Sequence, residues 1–508
     1  MAILTELAKT STGPPTWVIL GALAVIAVYL KLFISSKRAN LPIYSTHSGW
    51  LGSWHDSLDY LRDSPGVLKA GYERFSKHDL FYQLRTPVRW VIVVPPRFID
   101  EIRTAPPTHL SAKVAANDVQ QARYTVSPIV EADKFHFHLI KTHLTPNLEH
   151  KIVDLLDEIN LAFDQEIGRP EDWKPVVMAR TAHRIATRTA NRLLVGAPLC
   201  RNEEYLQMSI RYTIDVFGGA DKLRAWPDFL KRPVTYFVTS VNERQKVARK
   251  HLLPYIKTRL EGVKGIEKSS PRDKPVDSLQ WVIDAAPNPL ERDPERLMYR
   301  LLHLNVAAVH TTSVTFLNCV YDLALHADTH AELREEVQRA VSEDGWTARG
   351  LAGMRKLDSF MLESQRLAPI ASSQMTRAVT KDFTFSDGTT VPKGSYVLVP
   401  MHAMYLDDSL YPNASTFDAF RWSRLREQPG DENRYQFVTT SPTHINFGHG
   451  RDACPGRFFA AQEIKLLLAH ILLHYDVRLE DPSVLPTPTW YDRSRQPNQT
   501  ARVLFRAR

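Results

Sequence analysis

The chain has 508 residues, 44% of them hydrophobic and 24% charged, with a formal net charge of +8 at pH 7; these are ordinary proportions for a globular protein. Its three cysteines, Cys200, Cys319 and Cys454, are widely spaced, which excludes a disulfide framework and a paired-cysteine zinc site and fits a reducing compartment. No nucleic-acid-binding motif accompanies the positive charge, so we expect no nucleic-acid partner.

The first predicted element is a membrane anchor over residues 17–34, which are apolar except for Lys31. Its 18 residues are close to the roughly 20 that span the hydrocarbon core of a membrane. No cleavage site is evident, and the basic pair Lys37–Arg38 follows the apolar run, so we expect an uncleaved anchor with the main domain in the cytoplasm. The alternative is a buried core helix. The predicted division is a short lumenal N-terminus, an anchor, a proline-containing linker and a large catalytic domain, at residues 1–16, 17–34, 35–50 and 51–508.

Beyond the linker, the β-branched run Trp90–Val94 predicts a strand that ends at a proline pair. Lys134–Pro146 is typical of a short helix that enters a turn, and residues 150–262 are mostly helical by pattern. The segment Lys231–Pro275 carries 12 Lys or Arg against 4 Asp or Glu. It is either a solvated helix and loop or a surface for anionic lipid or an acidic partner.

A long helix is predicted from Asp293–Pro294 to about Leu325, because aspartate caps a helix and proline suits its first position. Its middle reads Ala-Ala-Val-His-Thr-Thr over residues 307–312. Further on, Glu363 and Arg366 share one helix face. Asp387–Gly388 then predicts a hairpin turn, and residues 395–400 and 501–505 predict further strands.

The most informative stretch is the loop around Cys454, at residues 447–457. Glycines precede the cysteine and Pro-Gly follows it, so the loop is tight. An apolar helix is predicted at once after it, over residues 457–475, and a helix N-terminus favours a thiolate. Such a thiolate suits a metal ion, whereas the alternative is a buried structural cysteine.

The spacing of Phe447, Gly450, Cys454 and Gly456 resembles the haem-binding loop of cytochrome P450 enzymes. Three further motifs fall in the family's order, at residues 307–312, 363–366 and 417–422, so that the resemblance covers about residues 35–508. It implies a mainly α fold with small β-sheets, the cytochrome P450 fold, preceded here by one transmembrane helix. The cofactor implied is haem b, whose iron takes the thiolate of Cys454 as axial ligand.

The same resemblance implies roles for residues outside the loop. Thr311 would supply a hydroxyl beside dioxygen, and His310, which replaces the family's acidic residue, would carry protons. Glu363, Arg366 and Arg421 would form a buried charge network that supports the loop.

The haem carboxylates need basic partners, and the resemblance offers three of them. Arg377, Lys141 and Arg451 are the expected ones. The position two before the cysteine is usually basic in the family, but here it is Asp452. The family has an arginine at the position of Lys141. The lysine keeps the positive charge but lacks the planar, two-pronged guanidinium.

The implied activity is a monooxygenase that oxidises a hydrophobic natural-product intermediate, of terpenoid, indole or polyketide type, as in fungal secondary metabolism. One alternative is oxidative coupling, desaturation or ring formation by the same haem, and another is a haem-binding protein without catalysis. The chain carries no nicotinamide or flavin fingerprint, so NADPH would act through a separate cytochrome P450 reductase, with cytochrome b5 as an optional partner. Membrane lipid and dioxygen complete the expected partners, and the endoplasmic reticulum membrane is the expected location.

Overall fold

A computed structural model describes residues 38–49, 51–266 and 275–508, together with positions 21, 23, 26 and 28. The predicted anchor at residues 17–34 lies almost wholly outside the described residues. The predicted lumenal segment, residues 1–16, lies outside them entirely. Within the described part of the chain, no helix is long and apolar enough to cross a membrane.

The described residues are mainly helical. The α-helices, numbered along the described chain, are α1 Gly52–Arg74, α2 Ile99–Thr104, α3 Ala112–Gln120, α4 Ala122–Thr125, α5 Pro128–Ala132, α6 Phe135–Leu139, α7 Thr145–Asn147, α8 Ile152–Glu166, α9 Met178–Leu194, α10 Glu203–Arg224, α11 Asp228–Val238, α12 Val241–Ile266, α13 Ser278–Asp284, α14 Pro294–Leu325, α15 His330–Asp344, α16 Ala348–Gly353, α17 Arg355–Leu367, α18 Met401–Tyr405, α19 Arg421–Leu425 and α20 Arg457–His474.

Twelve short strands in the described chain form one larger sheet and three small ones. They are β1 Tyr82–Arg85, β2 Trp90–Val93, β3 Leu110–Ser111, β4 Lys174–Val177, β5 Gln374–Val379, β6 Phe383–Thr384, β7 Thr390–Val391, β8 Tyr396–Val399, β9 Tyr475–Leu479, β10 Thr489–Tyr491, β11 Ser494–Gln496 and β12 Arg502–Ala507. The larger sheet has the order β1-β2-β8-β5-β3, and only its β2–β8 pair is parallel. The small sheets are β4-β12-β9, β6-β7 and β10-β11.

Local signals explain several of these elements. All four residues of β2 are buried, as expected of a β-branched run paired on both sides. The predicted hairpin is confirmed: β6 pairs with β7 around Gly388, whose φ of +89° suits glycine. The predicted helix and turn at residues 134–146 continue instead as helix, since α6 runs into a π-helical turn at Ile140–Leu144 and then into α7.

The long helix α14 is confirmed, and it organises the fold. The carboxylate of Asp293 accepts hydrogen bonds from the backbone N–H groups of Glu295 and Arg296, at 3.0 and 3.1 Å. The helix runs 32 residues, packs most extensively on α9, and also contacts α10, α17 and α20. Because α14 faces both α20 and the loop that leads into it, the middle of α14 lies opposite Cys454 across a cleft.

Candidate functional site

The loop before α20 is held in one conformation by its own backbone. The N–H of Cys454 donates to the carbonyl of Phe447 at 2.7 Å, which closes the loop around the cysteine. Gly448 and Gly450 have φ of +69° and +77°, a region that L-residues with side chains seldom adopt. A Cβ at position 450 would also overlap the side chain of Arg103 on α2. The loop therefore needs glycine there for both its backbone and its contact.

The side chain of Cys454 is enclosed by protein but exposed to the empty space of the cleft. Burial raises the pKa of its thiol, and the backbone N–H groups of Gly456 and Arg457 and the Arg457 cation oppose this rise. The N–H groups near the sulfur therefore favour the thiolate, but they do not cancel the rise in pKa that burial causes. A cation bound to the sulfur from the cleft would complete the stabilisation.

Two adjoining cavities occupy the cleft. The apolar cavity has mainly Leu, Ile, Val, Phe and Trp walls, and the polar cavity adds amide and charged side chains. The residues that line both are Ala307, Thr311, Thr312, Phe447, Cys454 and Ala460. Both cavities thus meet between the cysteine and the small-residue stretch of α14.

Thr311 faces this junction, and its neighbour His310 does not. The hydroxyl of Thr311 donates to the carbonyl of Ala307 at 2.9 Å, one turn earlier in α14. The ring of His310 instead lies 5.9 Å from that of His183 and 6.5 Å from that of Phe217, outside the lining of either cavity. Burial, and to a lesser degree His183, lowers the pKa of His310 to about 4.

Strand β5 supplies a wall of the polar cavity through an irregularity. Its pairing with β8 shifts register between Gln374 and Arg377, and Met375 has a φ of +56°. Gln374 and Met375 both line the cavity, although successive residues of a regular strand point to opposite faces. The backbone N–H of His449 lies 3.2 Å from the Met375 sulfur, so β5 also contacts the cysteine loop.

The three predicted basic residues are in different places. Arg377 lines the polar cavity, and it is the only Lys or Arg among the described residues that line either cavity. Arg451 reaches the carbonyl of Ala105 at 3.3 Å and lines neither cavity. Lys141 is exposed on the π-helical turn and also lines neither. The structure therefore brings one of the three to the cleft.

The charge network predicted from Glu363, Arg366 and Arg421 is assembled and buried. Arg366 donates to both carboxylate oxygens of Glu363, from Nε at 2.9 Å and from Nη2 at 2.7 Å, and neither side chain is exposed. Arg421 adds a bond to the same carboxylate at 3.1 Å. The indole N–H of Trp422 also donates to Glu363, at 3.1 Å, and Arg366 binds the carbonyl of Tyr405 at 2.7 Å. The network thus joins α17 to the chain that leads to the cysteine loop.

A second buried polar cluster was not predicted. His136 lines the apolar cavity and is hydrogen-bonded to His303 of α14, at 3.0 Å. Arg300, which is fully buried, binds Glu291 at 2.9 Å and approaches His136. Because 167 residues separate the two histidines, no local pattern could have paired them. The one available signal was a set of polar residues on the otherwise apolar face of a long helix.

Comparison with known proteins agrees with this architecture. The family model "Cytochrome P450" matches residues 79–504. Cytochrome P450 monooxygenase 151 of Postia placenta is 35% identical over 459 residues, which cover 90% of this chain and 91% of that protein. Cytochrome P450 monooxygenase AN1598 of Emericella nidulans is 33% identical over 495 residues, 96% of this chain and 92% of that protein.

Among solved structures, the retinoic acid bound cyanobacterial CYP120A1 superposes with a TM-score of 0.67 and 20% identity. The match covers 92% of this chain and 100% of the cyanobacterial one. At that identity the likeness concerns the fold alone.

Proposed function

Since the chain belongs to the cytochrome P450 family, whose matching fungal members are monooxygenases, we propose that it oxidises a hydrophobic natural-product intermediate of fungal secondary metabolism. The proposed substrate is of terpenoid, indole or polyketide type. One observation carries the proposal: the sulfur of Cys454 and the side chain of Thr311 line the same two cavities, whose apolar walls suit a hydrophobic molecule.

The residues of the cleft fit the haem that the family implies. Cys454 offers a sulfur whose backbone donors favour the thiolate without offsetting its burial. Arg377 lines the polar cavity and has a buried Nε–H without a partner in the described part of the chain, so its guanidinium has donors to spare for a haem carboxylate. Phe447 lies between the cavities and would pack on the ring, while Gly450 and Gly456 shape the loop. Arg451 and Lys141 lie outside the cavity walls, so we assign the carboxylate contact to Arg377.

The bound haem would supply reductive activation of dioxygen and insertion of one oxygen atom into the substrate. The chain's own residues prepare the space for this reaction. Ala307 and Ala308 are small and leave room beside α14. The Thr311 hydroxyl would hold a proton at Oγ1 in the cavity, and it now donates that proton to the carbonyl of Ala307. His310 is the other proposed proton carrier; its ring is neutral at physiological pH and lies beside His183, outside both cavities.

Alternative outcomes use the same site. Oxidative coupling, desaturation or ring formation would remove two hydrogen atoms from the substrate without adding oxygen, so product mass distinguishes it from hydroxylation. A haem-binding protein without catalysis would not consume NADPH when substrate is added. The apolar cavity, together with a hydroxyl at the junction, favours the monooxygenase over that carrier.

The electron donor and the location are part of the proposal. Electrons from NADPH would come from a separate cytochrome P450 reductase, with cytochrome b5 as an optional partner. The chain would be a single-pass protein of the endoplasmic reticulum membrane, anchored by residues 17–34, with its catalytic domain in the cytoplasm. A truncated chain that starts at residue 38 should leave the membrane fraction, and unchanged sedimentation would contradict the anchor.

The first experiment is the difference spectrum of the reduced, carbon-monoxide-bound protein. We expect the red-shifted band of a thiolate ligand in the wild type, its loss in Cys454→Ala, and its retention in Cys319→Ala, a matched change at a buried cysteine away from the cleft. An unshifted band in the wild type, or a band that survives in Cys454→Ala, would sink the assignment of Cys454. Well-folded protein without haem would refute the proposed function.

A second experiment tests the hydroxyl at the junction. With a turnover substrate, Thr311→Ala should consume NADPH with less product formed and more hydrogen peroxide released, because the proton at Oγ1 is gone. Thr311→Ser keeps the hydroxyl and should stay close to the wild-type ratio. Equal product yields from the two variants would remove Thr311 from the mechanism.

A further inference from the structure

Arg377 and Asp452 form an ion pair in the wall of the polar cavity. Nη2 of Arg377 lies 3.3 Å from Oδ2 of Asp452, and their side chains are 6% and 30% exposed. Nη1 donates to the carbonyl of Thr376 at 3.1 Å. Nε is buried and has no hydrogen-bond partner among the residues that the structure describes. One edge of the guanidinium is therefore engaged by the protein, and a donor is left over.

The attraction of Asp452 offsets only part of the cost of burying the positive charge of Arg377. Burial lowers the pKa of Arg377, Asp452 raises it again by a smaller amount, and the nearby Arg451 lowers it further. A buried cation in this state is stabilised by a second anion. Since Asp452 already pairs with Nη2, that anion would meet the rest of the guanidinium from the cavity that Arg377 lines. The site is thus arranged for two carboxylates around one guanidinium.

We propose that Asp452 is a positioning residue that shares Arg377 with a carboxylate of the bound haem, and so weakens the hold on that carboxylate and keeps the reduction potential of the haem low. This inference rests on the proposed function. The negative charge of Asp452 repels a second carboxylate on the same guanidinium, which weakens the hold on the haem carboxylate. The negative charge of Asp452 also disfavours the addition of an electron to the haem nearby. The position is usually basic in the family, so the sign of the charge at position 452 is reversed here, while the adjoining Arg451 lies with Nε 3.7 Å from Oδ1 of Asp452.

The direct test is Asp452→Asn, which removes the charge and keeps the shape. Measured by spectroelectrochemistry on the holoprotein, the reduction potential should shift to a more positive value. Haem loss to excess apomyoglobin should slow by roughly three- to tenfold, which is a part of what one charge-assisted hydrogen bond supplies. Asp481→Asn is the matched control and should leave both quantities unchanged, because Asp481 is exposed and its carboxylate pairs, within the described ranges, with Ser483 alone. An unshifted potential in Asp452→Asn would overturn the proposal.

A double variant tests whether Asp452 acts on the haem through Arg377. In an Arg377→Gln background, Asp452→Asn should shift the potential by less than half as much as it does in the wild type. A shift of the same size in both backgrounds would show that Asp452 does not act through Arg377. If Arg377→Gln does not retain haem, Arg377→Lys replaces it, because lysine keeps the charge but cannot hold two carboxylates along a planar edge. If the potentials overturn this inference, a normal carbon-monoxide band in the same variants shows that the proposed function still stands.

Discussion

His136 donates a hydrogen bond from Nε2 to Nδ1 of His303, and Arg300 fixes this direction. Nη1 of Arg300 lies 3.4 Å from Nδ1 of His136, and a guanidinium can only donate. Nδ1 therefore accepts, which leaves the proton of His136 on Nε2, 3.0 Å from His303. His303 in turn has its proton on Nε2, 3.1 Å from Oε1 of Gln120. A directed chain thus ties α3 and α6, which carries a wall of the apolar cavity, to α14.

Breaking this chain should destabilise the protein. His303→Leu would leave the buried Nε2–H of His136 without its partner, at a cost of about 1–3 kcal/mol, and would also remove the bond to the half-buried Gln120. We expect a lower midpoint of urea unfolding, measured by fluorescence on holoprotein. His78→Leu, the same change at an exposed histidine, should stay within about 0.5 kcal/mol of wild type. Equal midpoints for the two variants would contradict the importance of the chain.

The same histidines should make stability depend on pH. Burial lowers the pKa of His136 to about 2 and that of His303 to about 3, against about 6.5 in an unfolded chain. Below pH 6.5 the unfolded chain takes up protons that the folded protein excludes, so stability is complete above that pH and is lost as the pH falls. Each histidine contributes a slope of up to about 1.4 kcal/mol per pH unit. Unfolding midpoints at pH 7, 6 and 5 should fall less steeply in His303→Leu, and parallel curves would refute the assignment.

Removing the acid of the buried charge network should be severe. Glu363→Ala leaves the fully buried Arg366 without its counter-charge, and breaking such a pair costs about 3–5 kcal/mol. We expect a loss of soluble protein and of haem per chain, measured by absorbance against protein concentration. Glu335→Ala, at an exposed position of α15, is the matched control and should give normal yields. Normal haem content in Glu363→Ala would show that the network does not support the loop.

The cysteine loop should not tolerate a side chain at position 450. Gly450→Ala adds both strain, at a φ of +77°, and an overlap with Arg103, so we expect lower haem content. Gly430→Ala separates the two causes, because Gly430 has a φ of +87° but no neighbouring atom within 4 Å of an added Cβ. Adding Arg103→Ala to Gly450→Ala should restore part of the haem. A Gly450→Ala variant with full haem content, or one that Arg103→Ala does not improve, would argue against the contact.

The elements with local signals were predictable. The aspartate cap and proline placed the start of α14, and Asp387–Gly388 placed the hairpin, because capping and turn chemistry act within a few residues. Helix spacing placed Glu363 and Arg366 on one face, but their role in a buried network with Arg421 followed from the resemblance. The cap and the hairpin needed no knowledge of the rest of the fold.

The remaining features of the site depend on distant contacts. The His136–His303 bond joins segments that are far apart in sequence, and the Arg377–Asp452 pair joins β5 to the cysteine loop. Only the packed fold shows that Arg377, and neither Arg451 nor Lys141, lines a cavity. The sequence does not predict the positive φ of Met375, because methionine has no preference for that conformation.

The irregularity at Met375 has a consequence for the chain's evolution. Side chains in a strand alternate between faces, so the register shift in β5 fixes which residues on either side of it reach the cavity. An insertion or deletion of one residue here would exchange the faces of every later position in the strand and would turn Arg377 away. Surface loops absorb such length changes during divergence, but this segment should keep its length even where its amino acids vary. Chimeras that exchange β5 between relatives should therefore succeed only when the spacing from Gln374 to Arg377 is preserved.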